Sequence, residues 1–317
     1  MFKQSLLSVT AIACLVVAPI VMADSSTVAD PALSSWINEV LSQNPEMQAA
    51  QAAVDAASGR LRAADQPLFN PELELEYENT DITTTAGGLN QAIDWSDKRG
   101  ARTSVADFER VAASAELKSI RQTLATDLLQ ALADWHAAVA IKQVSEQQTT
   151  LMTRFARLAE RRRKAGDLGQ VELDLAHLAA AEAAFEQADA SQNLILAHRA
   201  VSILTGSDNS GWPALSTQLP DVDLRRMDVD GLLNGLPLMQ VALAQMSAAR
   251  ASVELSVREK KPDPTFGFRI VKEDSDTLTG LTFSVPLFVR NTFSAEVDVA
   301  NASLIQAERS AANVRRQ

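Results

Sequence analysis

The sequence predicts a mainly α-helical fold with transmembrane β: long antiparallel coiled-coil helices plus two β-hairpins in one chain. Three observations predict it. Ala, Leu, Glu, Gln and Arg dominate between a few Gly and Pro clusters, while aromatic residues make up only 5%, a composition that favours long helices. Four short segments alternate apolar and polar residues with the period of a strand. Finally, one pattern of elements occurs twice, about 192 residues apart.

At the start of the chain, Lys3 precedes an apolar run from Leu6 to Val21, and Val21-Met22-Ala23 fits a small-residue cleavage site. Residues 1–23 are therefore expected to be a signal peptide. The alternative is a membrane anchor, but the run falls short of the roughly 20 apolar residues a span needs. The only cysteine, Cys14, lies inside this run. Lipidation there is the alternative to an inert position, although apolar residues continue past it. The formal charge is −11 and becomes −12 once Lys3 is removed, which argues against nucleic acid as a partner.

Asn44-Pro45-Glu46-Met47-Gln48 opens a helical stretch ending at Asn70-Pro71, and Leu236-Pro237-Leu238-Met239-Gln240 opens another ending at Asp263-Pro264. After each comes a strand, a polar loop, a strand and a helix. The expected organisation is a first repeat over 24–206, a linker over 207–227 and an incomplete second repeat over 228–317.

The first strand, Glu72 to Glu78, alternates Leu73, Leu75 and Tyr77 against Glu72, Glu74 and Glu76. The second places Leu89, Gln91, Ile93 and Trp95 opposite Asn90, Ala92 and Asp94. The third sets Phe266, Phe268 and Ile270 against Arg269, and the fourth sets Leu281, Phe283 and Val285 against Ser284. A soluble sheet with one wet face gives the same alternation. The export signal favours membrane strands, which need about 9–11 residues. On that reading Leu73, Leu75, Tyr77, Ile93, Phe266, Phe268, Phe283 and Val285 face lipid. Glu72, Glu74, Glu76, Asp94, Arg269 and Ser284 face a lumen. The loops Thr80–Gly88 and Glu273–Thr277 would be extracellular.

From Arg99 to Lys164 there is no proline, and Gly100 is the only glycine. At about 1.5 Å per residue this helix approaches 100 Å. Leu124, Leu128, Ala131, Trp135 and Ala138 step by four and three, and Val144, Leu151, Phe155 and Leu158 continue the expected seam. Ala165 to Gly169 breaks it, and a second helix runs from about Gln170 to Leu204, giving an αα-hairpin. Arg161-Arg162-Arg163-Lys164 reads as a partner patch or as a solvated last turn suited to the helix dipole.

This order of elements, duplication included, resembles the TolC family of outer-membrane efflux proteins over residues 34–317. Gly166-Asp167-Leu168-Gly169-Gln170-Val171-Glu172 is similar to the family's helical-hairpin tip, departing at Gly169, where serine is usual. Trp95 to Arg102, with Lys98, Arg99 and Arg102, resembles the Lys-Arg-x-x-Arg stretch of the cobalt-zinc-cadmium efflux branch. The resemblance implies a homotrimer whose twelve strands close a barrel in outer-membrane lipid, with helices extending into the periplasm. It also implies an adaptor protein and an inner-membrane pump as partners, with Gly166, Asp167, Leu168, Gly169 and Glu172 at the docking tip. Efflux of heavy-metal cations is the leading expectation, with drug efflux or type I secretion as the alternative. A periplasmic adaptor or a structural coiled coil is the reading from a different class.

No enzyme and no cofactor are expected. His136, His177 and His198 show no metal-binding spacing, and no nucleophile elbow or phosphate loop is present. The family's second long helix turns and returns, whereas this sequence stops at Gln317. The expectation is a C-terminally truncated chain that cannot seal a tunnel by itself.

Overall fold

A 67-residue helix, α3 (Lys98–Lys164), is the spine against which most of the other helices pack. The structure is a computed structural model and describes residues 31–209, 211–215 and 228–316. The expected signal peptide 1–23, with Lys3 and Cys14, and much of the expected linker 207–227 lie outside the described residues. In order, the elements are α1 (Pro31–Gln43), α2 (Pro45–Ala64), β1 (Glu72–Asn79), β2 (Thr83–Ala92), α3, α4 (Gln170–Thr205), α5 (Val229–Gly235), α6 (Pro237–Glu259), β3 (Thr265–Glu273), β4 (Asp276–Ser284) and α7 (Ser294–Val314). The order α2-β1-β2-α3 thus recurs as α6-β3-β4-α7.

Proline at N1 starts both α2 and α6, where its missing N–H costs nothing. Asn44 caps α2 by accepting from Glu46 N at 2.8 Å and Met47 N at 3.4 Å. The helix interfaces are built from small residues at heptad spacing. Ala50, Ala57 and Ala64 are buried on α2, and Ala176, Ala183 and Ala190 on α4. On α3, Leu124, Leu128, Ala131, Ala138, Ser145, Ala156 and Ala159 are buried. The lower part of the expected seam is corrected here. Val144, Leu151, Phe155 and Leu158 are 43–62% exposed. Alanine-on-alanine packing against α4 brings the backbones close, and the larger side chains are left on the outer face.

The four strands form one antiparallel meander in the order β1-β2-β3-β4. The two hairpins meet through β2 and β3, with Leu89 opposite Phe268 and Gly88 opposite Arg269. The loops are shorter than the sequence suggests. Thr83 to Gly88 belong to β2 and pair with β1, so the first loop spans only 80–82. Asp274, at φ 47°, helps turn β3 directly into β4. Gly88 is in the ladder because a Cβ there would lie 3.2 Å from the Phe268 carbonyl oxygen.

The Lys98-Arg99-x-x-Arg102 stretch lies where sheet meets helices, and each of its cations closes a long-range contact. Lys98 Nζ pairs with Asp263 at 2.8 Å, both side chains being nearly buried. Arg99 reaches Asp65 at 3.6 Å. Arg102 donates to the carbonyls of Ala63, Ala64 and Gln66 at the C-terminal end of α2. Asp94, assigned from sequence to a lumen-facing strand position, lies beyond β2. Its carboxylate instead accepts from Lys98 N and Arg99 N, both at 2.8 Å, at the start of α3. Asp97, in the left-handed region at φ 56°, accepts from Gly100 N and pairs with Arg258 at 2.6 Å.

The hydrogen bond from Arg258 lowers the Asp97 pKa below the ordinary aspartate value. A carboxyl whose folded pKa is lowered stabilises the fold above its unfolded pKa. That contribution is lost as pH falls through the lowered value, so this link between α3 and α6 fades only in acid.

Asp263 Oδ1 is buried with no hydrogen-bond partner, so Lys98 is the group that compensates this carboxylate. Lys98→Met should lower stability by about 3 kcal/mol, and the double change Lys98→Met/Asp263→Leu should recover most of the loss. Chemical denaturation of the detergent-solubilised protein checks this. Equal losses in the single and double variants would show that the pair is uncoupled.

Candidate functional site

Strand register sorts the sheet into two faces. On one, Leu73, Leu75 and Tyr77 of β1 pair across with Leu89, Gly87 and Thr85 of β2. The same face continues through Phe268 and Ile270 to Leu281 and Thr279, and through Phe266 to Phe283. The Phe266 and Phe283 ring centroids are 5.1 Å apart. This face is apolar and uncovered: Leu75 is 76% exposed and Leu281 86%. On the other face, Glu72, Glu74 and Glu76 pair across with Asn90, Gly88 and Ala86. Glu74 accepts from Asn90 Nδ2 at 3.2 Å, and Arg269 pairs with Glu76. Ser284 lies on this face opposite Thr265.

Of the sequence-assigned strand residues, Ile93, Asp94, Trp95 and Val285 fall outside the strands. Ile93 N still donates to Pro264 O at 2.9 Å, extending the ladder by one bond.

At the far end of α3 the chain reverses at Gly166, which takes φ 82°. Asp167 N donates to Arg162 O at 2.9 Å and Gly166 N to Arg163 O at 3.1 Å, the paired bonds of a Schellman motif. Arg163 Nη1 also donates to Leu168 O at 3.2 Å. Gly169 caps α4 without a side-chain bond. The Glu172 carboxylate occupies the space that a Cβ at Gly169 would need. Asp167, Gly169 and Glu172 are exposed and Leu168 is half-buried.

One further constellation escaped the sequence reading. Trp212, in the stretch after α4, lies edge-on to Trp135 at 4.9 Å and beside His198 at 4.9 Å. His136 Nε2 donates to Pro213 O at 3.0 Å. Trp212 and Pro213 are thus strapped to the α3–α4 hairpin. Its one visible signal was a tryptophan between Gly211 and Pro213.

A family model described as outer membrane efflux protein matches residues 36–207. The cobalt-zinc-cadmium resistance protein CzcC of Cupriavidus metallidurans is 24% identical over 268 residues, covering 82% of this chain and 64% of its own length. The nickel-cobalt-cadmium resistance protein NccC of Alcaligenes xylosoxydans xylosoxydans is 25% identical over 308 residues, covering 93% of this chain and 70% of its own. The chain therefore spans about two thirds of the length of these relatives. Among solved structures, CusC superposes with a TM-score of 0.74 at 18% identity, covering 91% of this chain and 74% of that one. VceC of Vibrio cholerae superposes with a TM-score of 0.71 at 19% identity, covering 90% of this chain and 76% of that one. At such identities the likeness is one of fold.

A β-branched residue is strained at the φ of Gly166. Gly166→Val should cost about 2 kcal/mol, confined to the reversal. Hydrogen exchange should accelerate in the last turn of α3 and the first turn of α4 and stay unchanged in the sheet. Unchanged protection at the turn would show that the reversal does not need glycine.

Proposed function

The chain belongs to the outer membrane efflux protein family, and on that premise we propose that it is the outer-membrane channel component of a tripartite efflux system. Three copies close a twelve-stranded barrel, since β1 and β4 are open edges and an open edge in lipid leaves backbone groups unsatisfied. The helices extend into the periplasm, and α3 and α4 form a hairpin whose turn, Gly166 to Glu172, docks a periplasmic adaptor joined to an inner-membrane pump. The chain carries one unit over 24–206 and, over 228–317, the elements that open a second copy of it, joined over 207–227 and preceded by a signal peptide at 1–23. It conducts substrate and performs no catalysis. Heavy-metal cations are the substrate this reading favours, supported by the names of CzcC and NccC.

The observation that carries the proposal is the sheet. One face is largely apolar, with Leu73, Leu75, Tyr77, Leu281 and Phe283 all more than 60% exposed and Gln91 and Lys272 towards its two ends. The other face carries Glu72, Glu74, Glu76 and Arg269. A water-soluble protein rarely leaves so large an apolar patch open, whereas a barrel turns such a face to lipid and the polar one to its lumen. Among the described residues no helix is long and apolar enough to cross a membrane, so the membrane reading rests on the sheet alone.

Single-cysteine variants in intact outer membranes test the assignment. A membrane-impermeant thiol reagent should label Glu74→Cys and leave Leu75→Cys unlabelled. The reverse pattern would invert the two faces. The channel should also prefer cations, because rings of carboxylates favour them. Glu76 is matched by Arg269, so Glu72, Glu74 and Glu78 of each copy carry the effect. Reversal potentials in a salt gradient should show cation preference, weakened in Glu72→Gln/Glu74→Gln. Anion preference would contradict this wall chemistry.

A further inference from the structure

The last three turns of α3 carry six cations, Arg154, Arg157, Arg161, Arg162, Arg163 and Lys164, against the single carboxylate Glu160, in a chain of net charge −11. Arg163 is used in the turn, where it holds the Leu168 carbonyl. The other five are exposed, and among the described residues none lies within ion-pair distance of a carboxylate. A favourable interaction with the helix dipole accounts for cations in the final turn only, because that effect dies away within a turn. Arg154 lies ten residues, about 15 Å, before Lys164 and needs another explanation.

Helical geometry supplies one. Arg154, Arg157, Arg161 and Lys164 step by three, four and three and share one face, turned away from the buried Ala156 and Ala159 that meet α4. Beside them run Leu151, Phe155 and Leu158, spaced by four and three and exposed by 59%, 52% and 43%. An apolar seam at heptad spacing with charges along its edge is one half of a coiled coil, and the edge charges select the partner helix.

We propose that this face is the docking surface for an acidic amphipathic helix of the periplasmic adaptor, seated on Leu151, Phe155 and Leu158 and paired with Arg154, Arg157, Arg161 and Lys164. The inference rests on the docking role assigned to the hairpin turn and specifies the chemistry of its partner. The observations disfavour two other occupants. Outer-membrane lipid is out of reach, since the sheet adjoins the opposite end of α3, about 100 Å away. A neighbouring copy offers too little charge. Thr149 bonds the Ala183 carbonyl and Gln148 bonds Glu186, so the basic stripe is level with residues 170–180 of α4. That stretch holds only Glu172 and Asp174 as carboxylates.

The test uses the full-length protein in cells containing the whole efflux system. Benzoylphenylalanine is placed at Leu168, in the turn, and separately at Leu158, in the stripe. Both should cross-link to the adaptor, with the Leu158 product mapping to an acidic helix. Arg154→Glu/Arg157→Glu/Arg161→Glu should weaken binding of the purified adaptor about ten-fold at about 0.15 M salt. The corresponding Lys variants should stay within about two-fold of the unaltered protein, because they keep the charge. If the Glu variants misassemble, the Gln variants and the salt dependence of the unaltered protein carry the same test, binding weakening in each case. Absence of an adaptor cross-link at Leu168 would overturn the docking role itself. An adaptor cross-link at Leu168 with unchanged, salt-insensitive binding by the variants would overturn the basic stripe alone. A Leu158 cross-link to a second copy, or Glu variants that lose only their binding to anionic phosphatidylglycerol vesicles, would also overturn it.

Discussion

Close approach of helix backbones is the constraint on which the molecule depends. Ala50, Ala57 and Ala64 on α2 and Ala176, Ala183 and Ala190 on α4 repeat every seven residues and are buried, meeting small residues on α3. Small side chains put two helix axes near the short end of the usual 8–10 Å range, and a strict seven-residue period supercoils them. Each alanine removes little apolar area from water, so the interface gains stability by length rather than by bulk. The 67 residues of α3 supply that length. The same constraint sends the bulky apolar residues outward. Val144 and Phe155 on α3, and Val171, Leu175 and Phe185 on α4, are all more than half exposed, which leaves surfaces suited to further helices.

A rod of this kind transmits position only if it is fixed to the sheet. Asp94 and Asp97 meet the first free N–H groups of α3. Lys98 and Asp97 reach across to Asp263 and Arg258 of the second unit, while Arg102 takes up the carbonyls that end α2. These contacts join both hairpins to both sets of helices at one level. At the other end of the α3–α4 hairpin the turn is closed by backbone bonds and Arg163 alone, leaving its remaining cations available. In between, Trp212 holds the stretch after α4 against Trp135 and His198. The charge pattern follows the same division, since Lys98, Arg99, Arg258 and Arg269 near the sheet are engaged in ion pairs, whereas the cations from Arg154 to Lys164 have no such pair among the described residues.

The helices, the strands and their repetition were legible in the sequence because each depends on local periodicity. The proline at N1 of α2 and α6, the alternation from Glu72 to Glu78, and the glycine at the α3–α4 reversal are all short-range signals. The sorting of Glu74 from Leu75 onto opposite faces was equally legible, because a strand has a strict period of two. Partnership was not legible. Thr83 to Gly88 read as a polar loop and proved to be strand, since β1 and β3 on either side pair with it and Gly88 permits the close approach of Phe268. Asp94 read as a strand residue and proved to be a cap on α3. Leu151 and Phe155 read as buried seam and proved exposed, because hydrophobicity ranks them above alanine while packing distance ranks alanine first.

The sequence by itself determined the kind and order of the main secondary-structure elements, their duplication, and the division of the first strand into an apolar and an acidic side, since these follow from dihedral preferences and the spacing of side chains along one segment. Only the tertiary structure decided that β2 lies beside β3, that Lys98 neutralises Asp263 from 165 positions away, that Arg269 answers Glu76, and that the cations of Arg154 to Lys164 have no carboxylate partner among the described residues. Those outcomes depend on which segments come within a few ångströms of one another, and that distance is set by the packing of the helices, not by any local pattern.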